Sequence, residues 1–345
     1  MGYYVGLDVS LKRTHVFVLD TDGVVHLDRS VESQPEAISL CLDAWADEIE
    51  LLGLETGSTS PWLARSLLQR GFPVVVMDAR RVADALKSRP IKTDRHDARA
   101  LAEMLMAGWF TTVHVKSETS HRQKALLSAR DQLVQARRSL CNQVRGLLRP
   151  FGIRLACRQG SRQFETQARQ SVENDPELFA IIDALFSSLE GISAQIKVLD
   201  KRLHALTQNS SACHYMMSVP GVGPVTALAF ASAIEDPNRF RRARDVAAYL
   251  GLVPRRYQSG DKDVSLSISK QGDHMARHYL YEAANCLLTT AKTDCALRQW
   301  GRGLIERLGA KRARVAVARK IACLLFILWK SKQHFLPNYQ PLKTS

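Results

Sequence analysis

Two aspartates three residues apart, Asp94 and Asp97, open the segment KTDRHDARALAEML. Thr93 ahead of them is a residue type that caps helices, and Ala98, Leu101, Ala102, Leu105 and Met106 behind them carry helical apolar spacing. At i and i+3 both carboxylates face the same way. Like charges so placed repel, so they call for cations, either Arg95, His96 and Arg99 beside them or a ligand from outside. Acids in a first turn also suit the helix dipole with no further role. Two more acids shift that balance. Asp8 and Glu55 each stand near the C-terminal end of an apolar stretch that reads as a strand, GLDVS and GLETGS, where an ionised carboxylate is costly unless paired or metal-bound. Four acids gathered on one edge, in a chain of formal charge +14, point to divalent cations, and hard oxygen donors suit Mg²⁺ or Mn²⁺. Two such ions about 4 Å apart can hold the attacking and leaving oxygens of a phosphodiester. The plainer alternatives are that Asp8 and Glu55 cap neighbouring helices and that Asp97 pairs with Arg99.

The elements that must position these acids follow from periodicity. Residues 3–30 read as three strands separated by a basic turn and by TDG, a hairpin signal. A helix from about Pro35 to Asp47, the strand ending at Glu55, the helix SPWLARSLLQRG, the strand PVVVMDA and the helix ARRVADALKS follow, ahead of the Asp94/Asp97 helix. The pattern predicts an α/β domain with a mixed sheet. Sites in such sheets form outside the carboxyl ends of strands, where Asp8 and Glu55 fall. From Ser117 a long helix places Leu126, Ala129, Leu133, Ala136, Leu140, Val144 and Leu147 on one side and many arginines on the other, until Pro150 ends it. After a polar connection over 152–175, Leu178, Ile182, Leu185, Leu189, Ile192, Ile196, Leu199, Leu203 and Leu206 step by four and three, the signature of a coiled coil, as a hairpin or a dimer seam.

SVPGVGPVTAL opens the last domain. Gly221 and Gly223 bracket a turn into an apolar helix, as in a helix–hairpin–helix, whose N-terminal N–H groups can hold a phosphate. A glycine turn that only lets two helices approach is the plainer reading. Arg241, Arg242, Arg255 and Arg256 belong to a dense arginine run suited to phosphates. Ser259 then stands before Gly260 in what reads as an exposed turn, with Lys270 beyond it; arginines beside a hydroxyl can polarise a phosphate for its attack. Residues 277–330 read as helical and 331–345 as a frayed tail.

Composition narrows the partners. Lysine and arginine number 48 against 34 aspartates and glutamates, which favours a polyanionic partner, nucleic acid before acidic membrane. No window approaches the roughly 18 uninterrupted apolar residues of a membrane span, and the first residues read as a strand rather than a signal peptide. Seven scattered cysteines without C-x-x-C spacing argue for reduced thiols in a cytoplasm and against a zinc site.

As an ordered set, GLDVS, LETGS, KTDRHDARALAEML, SVPGVGPVTAL, AAYLGLVPRRYQSG and SISKQGD make the chain resemble, over nearly its whole length, the transposases of the insertion-sequence one-hundred-and-ten family, DEDD recombinases with a RuvC-like domain. The resemblance implies an RNase H-like domain over 1–115, coiled-coil helices over 116–210 and a C-terminal transposase domain over 211–330. It implies Asp8, Glu55, Asp94 and Asp97 as a Mg²⁺-binding tetrad and Ser259 as a nucleophile that links covalently to DNA. It further implies a guide RNA encoded by the element, donor and target DNA as substrates, and a homo-oligomer, dimer or tetramer, in which one protomer's serine completes another's acidic site. A bacterial, nucleoid-associated cytoplasmic location goes with it.

Three other readings compete. In a metal-dependent junction resolvase or nuclease, water attacks and Ser259 is idle, so Ser259→Ala would leave cleavage intact. An actin-like kinase or ATPase would also begin with a strand like GLDVS, but the chain has no second glycine-rich phosphate loop of that fold. A non-catalytic DNA-binding protein accounts for the arginines and leaves the four acids without a role.

Overall fold

The structure, a computed structural model, describes residues 2–87, 93–157, 160–259 and 262–337. The chain divides into two compact units, Met1–Ser117 and Glu118–Ser345. The domain boundary expected near residue 210 falls inside the second unit.

The first unit is built on five strands: β1 (Tyr3–Val9), β2 (Arg13–Asp20), β3 (Val25–Glu32), β4 (Ile49–Glu55) and β5 (Val74–Met77). Their spatial order is β3-β2-β1-β4-β5. The first three pair antiparallel, and β1–β4 and β4–β5 pair parallel. This mixed sheet with helices is consistent with the RNase H-like expectation. One face is covered by α1 (Pro35–Leu42) and α2 (Ser60–Gln69), which bury Ile38, Leu42, Leu63 and Leu67 with Val5, Leu7, Leu52 and Leu54. The helix expected to run to Asp47 stops at Leu42 and continues as a 3₁₀ turn over Asp43–Glu48. A short helix, α3 (Ala79–Leu86), follows β5. The opposite face carries α4 (Asp94–Met106), whose Thr93 N-cap accepts from the His96 N–H.

Two glycines let α4 lie on the sheet. Gly6 and Gly53 are register partners on β1 and β4. A Cβ on Gly6 would come 2.0 Å from the Ala98 carbonyl oxygen, and one on Gly53 would come 2.7 Å from a Leu105 methyl. Side chains alternate along a strand, so the residue two beyond each glycine shares its face. Those residues are Asp8 and Glu55.

The β2–β3 turn is held by one carboxylate. Asp20 is 2% exposed, and one of its oxygens accepts from the Asp22 and Val24 N–H groups while the other pairs with His26 Nε2 at 2.7 Å. The His26 bond, opposed by desolvation and helped by the two backbone bonds, holds the Asp20 carboxyl below its ordinary value. A depressed folded pKa means a contribution that is full above the ordinary carboxylate range and lost as pH falls through the lowered value. Asp20→Asn is therefore expected to flatten the acid limb of the stability–pH curve, measured by denaturant midpoints from neutral pH downwards. An unchanged acid limb would remove Asp20 as its source.

In the second unit α5 (Glu118–Leu148) packs along α7 (Pro176–Gln208), so the apolar repeat closes an intramolecular helical hairpin. On α5 the fully buried apolar residues are Leu127, Cys141, Val144 and Leu148, one position on from the expected Leu126 and Leu147 at either end. The two ends of α5 meet different neighbours. Leu127 joins Leu203, Leu228 and Tyr279, whereas Leu148 joins a cluster with Phe164 and Ile182. Arg130 pairs with Asp200 at 2.5 Å between the two long helices. The polar connection holds one short helix, α6 (Arg162–Gln170). Among the described residues one helix, α7, has the length and mean hydropathy to cross a bilayer, but Asp183 and Glu190 interrupt it, so it holds no uninterrupted apolar window of that length.

Beyond the hairpin come α8 (Ser211–Met217), α9 (Pro224–Ile234), α10 (Ala243–Tyr249), α11 (His274–Thr289), α12 (Ala296–Leu308) and α13 (Ala310–Ser331). Their core includes Phe230, Leu250, Leu280, Leu287, Val317, Ile321 and Leu325. Two features differ from the sequence expectation. Ser259 does not sit in a loop among helices: it ends β6 (Pro254–Ser259), which pairs antiparallel with β7 (Lys262–Ile268). The alternation in VSLSI carries that strand. The start of the supposed tail is also docked, with Phe335 buried and its N–H donating to Ser218 Oγ at 2.8 Å.

Candidate active site

Asp8 and Glu55 lie at the C-terminal ends of adjacent parallel strands and line one cleft of about 360 Å³ with the Thr56–Ser60 loop. Ser60 Oγ donates to the Glu55 carbonyl oxygen, which pins that loop to the strand end. Asp94 and Asp97 occupy the first turn of α4, which crosses the same sheet face. They sit one turn ahead of Ala98 and Leu101, both buried on the sheet side. Asp94 is exposed and Asp97 half-buried.

The cations beside this pair are engaged elsewhere. Arg95 pairs with Asp28 at 2.5 Å, Arg99 with Glu103 at 2.8 Å, and His96 Nδ1 meets Thr93 Oγ1 at 2.5 Å. Among the described residues neither the Asp94 nor the Asp97 carboxylate has a hydrogen-bond or ion-pair partner. The Asp97–Arg99 pairing is thereby set aside. Among the described residues no three His, Cys, Asp or Glu side chains close on one point as a metal ion requires. In donor type, hard carboxylate oxygens, the set fits a divalent cation.

Sequence reading missed what fixes the acidic turn. Asp28 on β3 accepts from His15 at 2.8 Å and from Arg95 in that turn, and His15 is the register partner of Asp8. Partial burial acts to raise the Asp28 carboxyl, and the bonds from His15 and Arg95 outweigh it, leaving the group below its ordinary value. Only the pairing of β2 with β3 brings Asp28 there, so local spacing carried no signal. Asp28→Asn is expected to speed amide exchange over residues 94–98 while costing about 1 kcal/mol or less overall, since Arg95 is two-thirds exposed. Unchanged exchange in the first turn of α4 would show that Asp28 does not hold it.

The C-terminal candidates separate by role. Gly221 has φ +89°, and a Cβ there would lie 2.6 Å from the Ala283 carbonyl oxygen, so packing against α11 explains it. Gly223 is the N-cap of α9, with open space where a Cβ would stand. Arg241, Arg242 and Arg255 are exposed. Arg239, by contrast, lies over the rings of Phe240 and Tyr249 and donates to the Ile234 carbonyl. The side chains of Arg256 and Ser259 lie outside the described groups, and their backbone belongs to β6. The base of that hairpin is clamped by Gly251 (φ +69°) and Gly272 (φ +76°), where a Cβ would come about 2 Å from Gln271 or Tyr249 carbonyl oxygens. Lys270, exposed, stands between them at φ +55°, an uncommon conformation for a side-chain-bearing residue.

Comparison with known proteins identifies the family. Residues 5–152 match a family model for DEDD transposases of the IS110 type, and residues 213–300 match the model described as transposase IS116/IS110/IS902 family. The transposase for insertion sequence element IS1111A of Coxiella burnetii is 34% identical over 79% of this chain and 75% of its own length. A probable family 20 transposase of Pseudomonas aeruginosa is 31% identical over 84% and 86%. The transposase for element IS1328 of Yersinia enterocolitica is 26% identical over 81% and 83%. With both units matched and relatives above 30% identity aligned over most of their length, the chain belongs to the IS116/IS110/IS902 family of transposases.

Proposed function

We propose that this DNA transposase cuts and rejoins DNA as a metal-assisted serine recombinase, guided by an RNA from its own element. The observation that carries the reading is the pair Asp94/Asp97, without a hydrogen-bond or ion-pair partner among the described residues, on the sheet face that bears Asp8 and Glu55 at neighbouring strand ends. A divalent cation, Mg²⁺ or Mn²⁺, held by those four carboxylates would supply Lewis-acid stabilisation of charge on a phosphodiester. Ser259, at the end of β6, is the nucleophile. Its oxygen bonds to phosphorus as the bond to one sugar oxygen breaks, and the serine proton ends on that departing oxygen, which leaves as a hydroxyl. Reversal by a hydroxyl on another strand releases the serine and rejoins the DNA. Arg255 and Arg256 clamp phosphates, helped by Arg241, Arg242, Lys270 and the Gly223 turn. A homo-oligomer, dimer or tetramer, in which one protomer's serine serves another's acids, completes the proposal, together with coiled-coil packing of the hairpin and work in the DNA-bearing cytoplasm.

The test is covalent capture. Purified protein, the RNA flanking its element, Mg²⁺ and labelled junction DNA are run on a denaturing gel beside Ser259→Ala. A DNA-linked protein band that the substitution abolishes is expected. Cleaved DNA without linked protein, unaffected by Ser259→Ala, would overturn the serine mechanism in favour of attack by water.

A further inference from the structure

At the far end of α5 the chain makes a cleft of about 470 Å³ lined by Arg145, Arg149, Ile153, Arg154 and Leu155. Three of its five lining residues are arginines and none is acidic. A second cleft farther along the hairpin sets its cations beside Glu165 and Glu190, so it lacks this purely positive character. No ion pair holds any of the three arginines among the described residues. Arg145 is fixed in place: it donates to the Cys157 carbonyl oxygen at 2.6 Å and its guanidinium lies 5.4 Å from the centre of the Phe164 ring. Its Nε is nevertheless buried without a hydrogen-bond partner among the described residues. A buried donor left unsatisfied costs free energy, and an anionic oxygen is the group that three arginines would bring to it.

The neighbouring turn adds a different chemistry. Arg149, Pro150 and Phe151 form a 3₁₀ turn closed by Gly152 in the left-handed conformation. Phe151 is 59% exposed. An exposed aromatic ring within two residues of a cationic cleft is the combination that holds unpaired nucleotides, the arginines tracking the backbone and the ring stacking a base. A duplex offers no free base face to such a ring. We infer that the tip of the α5–α7 hairpin is a binding site for an unpaired nucleic-acid strand, with one backbone phosphate in the Arg145–Arg149–Arg154 cleft and one base on Phe151. This site goes beyond the catalytic reading and does not depend on it.

The test uses the full chain and short oligonucleotides carrying 5-iodouracil, as single-stranded DNA, single-stranded RNA and duplex DNA. Photo-cross-linked peptides are mapped by mass spectrometry. The expected result is a cross-link at Phe151 with one or both single strands, the stronger of the two identifying the strand type, and little with duplex. Arg149→Ala/Arg154→Ala, both exposed positions, is expected to lower that cross-link about tenfold at low salt. It should also make the salt dependence of single-strand affinity shallower by about 0.7 in log–log slope, one phosphate contact. A matching thermal melt keeps a folding defect from imitating this loss. Cross-links confined to other peptides, a preference for duplex at Phe151, or a yield unmoved by the double substitution would each overturn the site. Because the readout is local cross-linking, it stands or falls separately from covalent capture by Ser259.

Discussion

Asp97→Asn is expected to cut DNA cleavage by roughly 10³-fold, about 4 kcal/mol of transition-state stabilisation, with the protein fully folded. Its carboxylate has no partner among the described residues, so no ion pair is lost on substitution. Removing a negative charge from the first turn forfeits about 0.3–1 kcal/mol of helix-dipole interaction, and relief of repulsion from Asp94 offsets part of that. The distinguishing measurement pairs a cleavage assay with a thermal melt of the same variant. A large loss of cleavage with a melting point near that of the parent assigns Asp97 to chemistry. Cleavage within tenfold of the parent would leave the acids of α4 as helix-end decoration. Chelating divalent cations from the parent protein is expected to reproduce the loss.

The second large effect is structural. Gly6→Ala is expected to destabilise the first unit by about 3 kcal/mol or more, the upper range for overpacking, because the added carbon would meet backbone rather than a side chain that can rotate away. The helix must lift or slide, and Asp94 and Asp97 move with it. Denaturant unfolding with amide exchange read over β1 and β4 measures this, and Leu11→Ala, at an 81% exposed position, serves as the unaffected control. Equal stability of Gly6→Ala and the parent would mean that α4 does not need the glycine groove.

Much of the first unit was legible because its signals are local. Strand alternation, the TDG turn and the Thr93 cap each act within a few residues, and all five strands and the acidic helix lie where the pattern placed them. What places Asp8 and Glu55 side by side is the parallel pairing of β1 with β4, a long-range register that no local pattern carried. Asp28 was not legible, since its partners come from 13 residues away on β2 and from a helix far along the chain. In the second unit the heptad run foretold two packed helices, yet the buried side of α5 drifts because each end faces a different neighbour. The β6–β7 hairpin was hidden by the serine and charge content of its strands, which reads as loop.

The last helix carries a consequence for how the protein is made. Val317, Ile321 and Leu325 of α13 fill the core that Cys213 and Phe230 begin, and Phe335 seals it against Ser218. Contacts so distant in sequence cannot form until the end of the chain has been synthesised, whereas the first unit is complete by residue 117. A message broken shortly before codon 335 would still yield a folded acidic sheet, but its C-terminal helices would lack the piece that closes them. Loss of the chain from Phe335 onward would thus disable a copy of the protein while leaving every proposed catalytic side chain encoded.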